Sequence, residues 1–112
     1  MALSAAVYAA DVLTAVDLIE RFVGAKTFDE YEANVLLVSA VERQLSIVGE
    51  AVTQLKKLLP EGFVSNATQI IGFRNILIHN YARGSQAVLW TIVNDHLPVL
   101  KLECPALLEN TV

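Results

Sequence analysis

Arg74, His79 and Tyr81 form the pattern R-x4-H-x-Y within the stretch Arg74-Asn75-Ile76-Leu77-Ile78-His79-Asn80-Tyr81. The arginine brings a permanent cation with a planar fork of donors, the histidine exchanges protons near neutral pH, and the tyrosine adds an aromatic hydroxyl. Together they suit a site directed at phosphate. In RNA the nucleophile, the ribose 2′-OH, is already part of the substrate, so His79 need only move protons while Arg74 holds and neutralises the phosphate. That chemistry requires no metal. His79 has no carboxylate near it in sequence and only His96 as a second imidazole, which is not a recognisable ligand set; there is also no Gly-rich phosphate loop and no supported Ser/His/Asp arrangement.

A net charge of −4 over 112 residues speaks against a nucleic-acid ligand, but the distribution of charge speaks for one. From Gly62 to Asn94 there is no Asp or Glu, while Arg74, His79 and Arg83 lie inside that window. Lys56 and Lys57, on the preceding helix, stand to reinforce the positive field. On charge alone, two arginines solvating a helix face explain the same pattern.

The elements that must carry the motif are helical throughout. Ala5, Tyr8, Val12, Val16, Ile19 and Val23 are spaced by threes and fours and predict a first helix over residues 2–23, stopped at Gly24. Thr27 and Glu30 form a capping-box pattern that starts a second helix near Phe28, with a bend allowed between Tyr31 and Asn34. From Val38 the apolar seam Val38, Val41, Leu45, Val48, Val52, Leu55 and Leu59 is unbroken, as for a helix packed on one or two long neighbours, and Pro60 ends it. Beside the seam, Arg43 and Glu50 share a stripe, either flanking a groove or pairing with charges elsewhere. Gly49 suggests close approach of another backbone.

Asn66 with Gln69 makes another capping pattern, predicting a helix from Ala67 to the region of Tyr81. On it Arg74 and Tyr81 share a stripe, but five residues of α-helix turn His79 about 140° from Arg74. A long arginine reaching round, a helix loosened near Asn80, or a second copy across a two-fold axis would each bring the groups together. Ala82-Arg83-Gly84 is expected to close this helix and Ser85 to cap the next, with Val88, Ile92 and Leu97 on one side and Trp90 nearby. Pro98 should end or kink it, Leu100 and Leu102 add late contacts, and the tail beyond Pro105 frays. His96 sits near a helix end and receives no function. The fold class is all-α, a four- to five-helix up-and-down bundle in a single domain over residues 1–112.

The apolar fraction of 54% exceeds the usual level and points to an oligomer. No apolar run is long enough to span a membrane, the start has no basic segment of a signal peptide, and a cytoplasmic location is expected. Cys104 is the single cysteine, read as a small half-buried side chain.

The motif, preceded by Ile70-Ile71-Gly72-Phe73, resembles the signature of HepT-type toxins of the HEPN superfamily. Val41-Glu42-Arg43-Gln44-Leu45 with Ile47-Val48-Gly49-Glu50-Ala51 is similar to a second recurring stretch of that family, and Trp90 with Asp95-His96-Leu97-Pro98 resembles its closing helix. The resemblance covers roughly residues 12–102. It implies an all-helical homodimer acting as a metal-independent ribonuclease without cofactors, with Arg74 and His79 near the dimer cleft and Asn75 orienting its neighbours. It also implies a nucleotidyltransferase antitoxin as partner, silencing the toxin by transferring AMP groups to Tyr81. Two alternatives stand beside this: a non-catalytic helical module that binds nucleotide or a transferase, and a plain dimerising bundle.

Overall fold

The computed structural model describes residues 4–79 and 84–108, with the backbone alone at positions 74–76, 78, 79, 84 and 85. Every regular element among them is helical. The first, α1, is Ala5–Val23; Val12, Val16, Ile19 and Val23 are buried as the spacing predicted, but Ala5 and Tyr8 are only half-buried, and Ala6, Ala9 and Ala15 are buried beside them. Gly24 ends the helix with φ 54°, a left-handed conformation in which a side chain would be strained, and its N–H donates to the Glu20 carbonyl.

The capping box is complete. The Thr27 N–H donates to Glu30 Oε1 at 2.9 Å and the Glu30 N–H to Thr27 Oγ1 at 3.2 Å, starting α2, Phe28–Glu32. The bonds from Thr27 hold the Glu30 carboxyl below its ordinary pKa, backbone first. The allowed bend proves to be a break: the Asn34 side chain accepts from the Leu37 N–H and caps a separate helix, α3, Val35–Leu58.

α3 is the centre of the molecule. Val41, Leu45, Val48, Val52 and Leu55 are wholly buried, and Leu37, Gly49 and Ala51 join them, so the buried side is broader than a two-residue seam. It packs on α1 and on α4, Ala67–His79. α4 turns Ile70 and Phe73 into the core, with Leu77 at its edge. The expected Asn66–Gln69 capping box is absent: Asn66 supplies its backbone carbonyl to the Ile70 N–H, and the side-chain contact at this end comes from Glu103, which accepts from Ser65 Oγ at 2.6 Å.

After residues 80–83, α5 runs Gly84–Thr91, so Ser85 lies within the first turn and does not cap it. Leu89 fills the core where Val88 was expected, and Val88 is exposed. A π-turn, Ile92–His96, then leads into α6, Leu97–Glu103. The Leu97 N–H donates to the Ile92 carbonyl five residues back. Five residues of α-helix would set these side chains about 140° apart; the extra residue in the π-turn lets both face the core. Pro98 thus stands in the first turn of α6, directly after the π-turn, where its missing N–H costs little, and does not end the helical run. Leu100 is buried as expected, but Leu102 is 82% exposed. The tail is also ordered differently: α7, Pro105–Leu108, packs on α1 and buries Leu107. No helix among the described residues is long and apolar enough to cross a membrane.

Cys104 is fully buried, beyond the half-burial expected. Burial, aided by the Glu103 carboxylate, pushes the thiol from its ordinary 9.0 up to about 11. The folded chain therefore keeps a proton that the unfolded chain releases, so stability declines as pH rises from about 9 to about 11. Urea unfolding across that range should show the decline, and Cys104→Ala should make it shallower.

Candidate functional site

The helical geometry of α4 decides where the motif positions stand. The helix remains α-helical through His79, and Asn80, near which a loosening was allowed, lies outside the described residues. Arg74 lies four residues after the buried Ile70, about 40° round the axis, at the margin of the core face. His79 lies nine residues after Ile70, about 180° round, on the opposite side. The two positions therefore diverge on one chain. Asn75 lies between them, and Tyr81 falls outside the described residues.

The outward side of α4 is open. Gly72, one heptad before His79 and within about 20° of it, is exposed, and a Cβ there would meet nothing within 4 Å. A glycine in such a position costs a helix about 1 kcal/mol relative to alanine. Thr68 and Gln69 on the same helix are exposed as well.

The margin on the arginine side opens into a groove of about 390 Å³. Tyr8 and Asp11 of α1, Arg43, Ser46, Ile47 and Glu50 of α3, and Leu77 of α4 line it. Arg43 and Glu50 thus flank a groove, one of the two roles their shared stripe allowed. Leu77 is one turn beyond Arg74 and about 60° round the helix, which sets the groove next to the arginine end of the motif. Lys56 does not reinforce the motif: it lines a second hollow with Ala67 and Thr68, at the far end of α4 from His79. Helices α3 and α4 are joined by a short turn, which carries the last turn of α3 to the start of α4 and away from its end.

Helices α4 and α5, before and after residues 80–83, are both tied to the core. On the far side, Gln86 of α5 accepts from the Tyr31 hydroxyl at 2.6 Å and donates through Nε2 to Glu42 at 2.8 Å. A carboxylate can only accept, so Glu42 fixes the orientation of the Gln86 amide and leaves its oxygen to the phenol. Burial first, then the Glu42 and Glu32 charges, push the Tyr31 hydroxyl above its ordinary pKa and keep it a donor. The Tyr31 ring lies 4.9 Å from Trp90, which meets Phe28 edge-on at 5.8 Å. Sequence reasoning missed this network. Its partners are 55 and 44 residues apart, and no local spacing signals it. His96, at the end of the π-turn, has a buried Nδ1 without a hydrogen-bond partner among the described residues.

The sequence matches the Ribonuclease HepT-like family over residues 12–107. The chain belongs to that family. It is 33% identical over 98 residues to the "Probable ribonuclease HepT" of Thermococcus cleftensis, covering 84% of this chain and 86% of that one. It is 32% identical over 94 residues to a protein of Methanocaldococcus jannaschii named "Putative RNase MJ1380", covering 83% of this chain and 86% of the other. No solved structure matches this HepT-like chain.

Removing one member of the Tyr31–Gln86–Glu42 network strands the others. Gln86→Leu should lower the unfolding free energy by about 1–3 kcal/mol. Combining it with Tyr31→Phe should cost less than the sum of the two single changes, as a double-mutant cycle in urea would reveal.

Proposed function

We propose that this HepT-like chain is a metal-independent endoribonuclease that acts as the toxin of a toxin–antitoxin pair. What carries the reading is R-x4-H on a single uninterrupted helix inside an acid-free stretch, in a chain of the Ribonuclease HepT-like family. The similar proteins bearing ribonuclease names support it. His79 takes the proton from the ribose 2′-OH as O2′ bonds to phosphorus, and a proton returns to O5′ as the P–O5′ bond breaks. The products are a 2′,3′-cyclic phosphate and a free 5′-hydroxyl. Arg74 neutralises the charge that gathers on the phosphoryl oxygens, and Asn75 orients its neighbours.

The reading includes a homodimer. Positions 74 and 79 diverge on one chain, and the uncovered side of α4, with Gly72 in open space, is suited to meet a second copy across a two-fold axis. A close approach there would account for a glycine that the single chain does not need. The partner is a nucleotidyltransferase: the Tyr81 phenol oxygen attacks the α-phosphorus of ATP, pyrophosphate leaves, and the AMP so attached puts bulk and negative charge where the RNA phosphate must sit.

Two measurements test this. Total cellular RNA incubated with the wild-type chain in EDTA should be cut to cyclic-phosphate ends. Arg74→Ala and His79→Ala, with unchanged circular dichroism and size, should each slow cleavage by about 100-fold or more. Intact RNA in every wild-type reaction would overturn the nuclease. Separately, the chain mixed with its nucleotidyltransferase and ATP should gain the mass of AMP, and Tyr81→Phe should abolish the gain; modification undiminished in Tyr81→Phe would exclude that tyrosine.

A further inference from the structure

The groove between α1 and α3 adjoins the arginine end of the motif. It lies beside Leu77, on the arginine side of α4, and its volume of about 390 Å³ is within the range of small-ligand sites. Arg43 is exposed, and it and the side chains of Tyr8, Asp11 and Ser46 form no hydrogen bond or ion pair among the described residues. Four polar groups facing one groove without partners among the described residues are ready for a ligand that carries both donors and acceptors.

We infer that this groove seats a nucleotide of single-stranded RNA flanking the one that is cut, with Arg43 bound to its phosphate. The inference rests on the ribonuclease reading and extends it along the strand. The charge pattern sets the direction. Arg43 and Glu50, seven residues apart, are separated by about 10 Å along α3. The phosphate belongs at the Arg43 end, because Asp11 and Glu50 would repel it. The ribose hydroxyl and the donor edge of a base suit the carboxylate Asp11, and the Tyr8 ring offers a face for stacking. An RNA strand meets this mixed lining better than an apolar partner surface would, since such a surface would bury Arg43 and Asp11 unpaired.

The test uses full-length chain carrying His79→Ala, so that RNA is bound and not cut, and a short fluorescein-labelled single-stranded RNA read by anisotropy over a series of salt concentrations. Adding Arg43→Ala should weaken binding about ten-fold or more. It should also reduce the slope of log K against log salt by about 0.7, the signature of one lost phosphate contact. Arg43→Lys should restore the slope and only part of the affinity, which a purely structural role would not produce. Sedimentation should give the same mass for all variants. Unchanged affinity and slope in Arg43→Ala, while the chain with His79 intact still cuts RNA, would overturn the groove and leave the nuclease standing. A change of mass in Arg43→Ala would mark the groove as a contact between copies and overturn it too. Absence of both binding and cleavage by the wild type would remove the ribonuclease reading and the inference together.

Discussion

Burial of α3 constrains everything else in this molecule. Val41, Leu45, Val48, Val52 and Leu55 have no exposure, because α1 covers one side of the helix and α4 another. Once those positions are committed to the core, the neighbouring stripe of Arg43, Ser46, Ile47 and Glu50 must emerge where α1 and α4 meet the same helix. The groove therefore follows from the packing and requires no separate device. The same packing orients α4: with Ile70 and Phe73 held inward, the rotation per residue leaves Arg74 at the margin of the core and His79 on the far side. A site that draws on both positions must be completed from outside the chain or by the reach of the arginine.

The elements whose signals are local were legible in the sequence. Gly24, the Thr27–Glu30 box and Pro60 act within a few residues, and they end α1, start α2 and end α3 where the spacing put them, whereas the break between α2 and α3, capped by Asn34, was read only as a bend. The seam from Val38 to Leu59 was readable because α-helical geometry repeats without interruption over six turns. Signals failed where an interaction joined distant parts. Asn66 resembles a cap, but at that helix start it is Ser65 that bonds, to Glu103, 38 residues beyond Ser65. Leu102 and Leu107 look equally apolar in sequence, and only the turn at Cys104 decides that Leu107 packs on α1 while Leu102 faces water.

The π-turn at Ile92–His96 misled pattern reading in another way. Spacing analysis assumes a constant rotation per residue, and one inserted residue resets the phase. With the phase reset, Ile92 and Leu97 both face inward; Leu89, three residues before Ile92 and about 60° round the helix from it, is buried, while Val88 is exposed. The candidate site was legible only in part for a similar reason. Arg74 and His79 announce themselves by type and spacing, whereas Gln86 is an ordinary surface-type residue until Tyr31 and Glu42 are brought to it by the fold.

The acidic balance of the chain is compatible with a phosphate ligand because electrostatics here is local. At physiological ionic strength exposed charges are screened beyond about 8 Å, so the sum over the chain counts for less than what stands beside α4. Asp17, Glu20, Asp29, Glu30 and Glu32 belong to α1 and α2, and Asp17 and Glu20 are already paired with Arg21 and Lys101. Closer in, Glu42 accepts from Gln86 and Glu50 from Gln54, so both α3 carboxylates are engaged by amides. Arg43 has no such partner among the described residues, which makes it the cation on α3 whose field is least compensated near the motif. An anionic strand approaching α4 from the groove side would meet that charge without first breaking an ion pair, at the end of the groove away from the Asp11 and Glu50 carboxylates that would repel it.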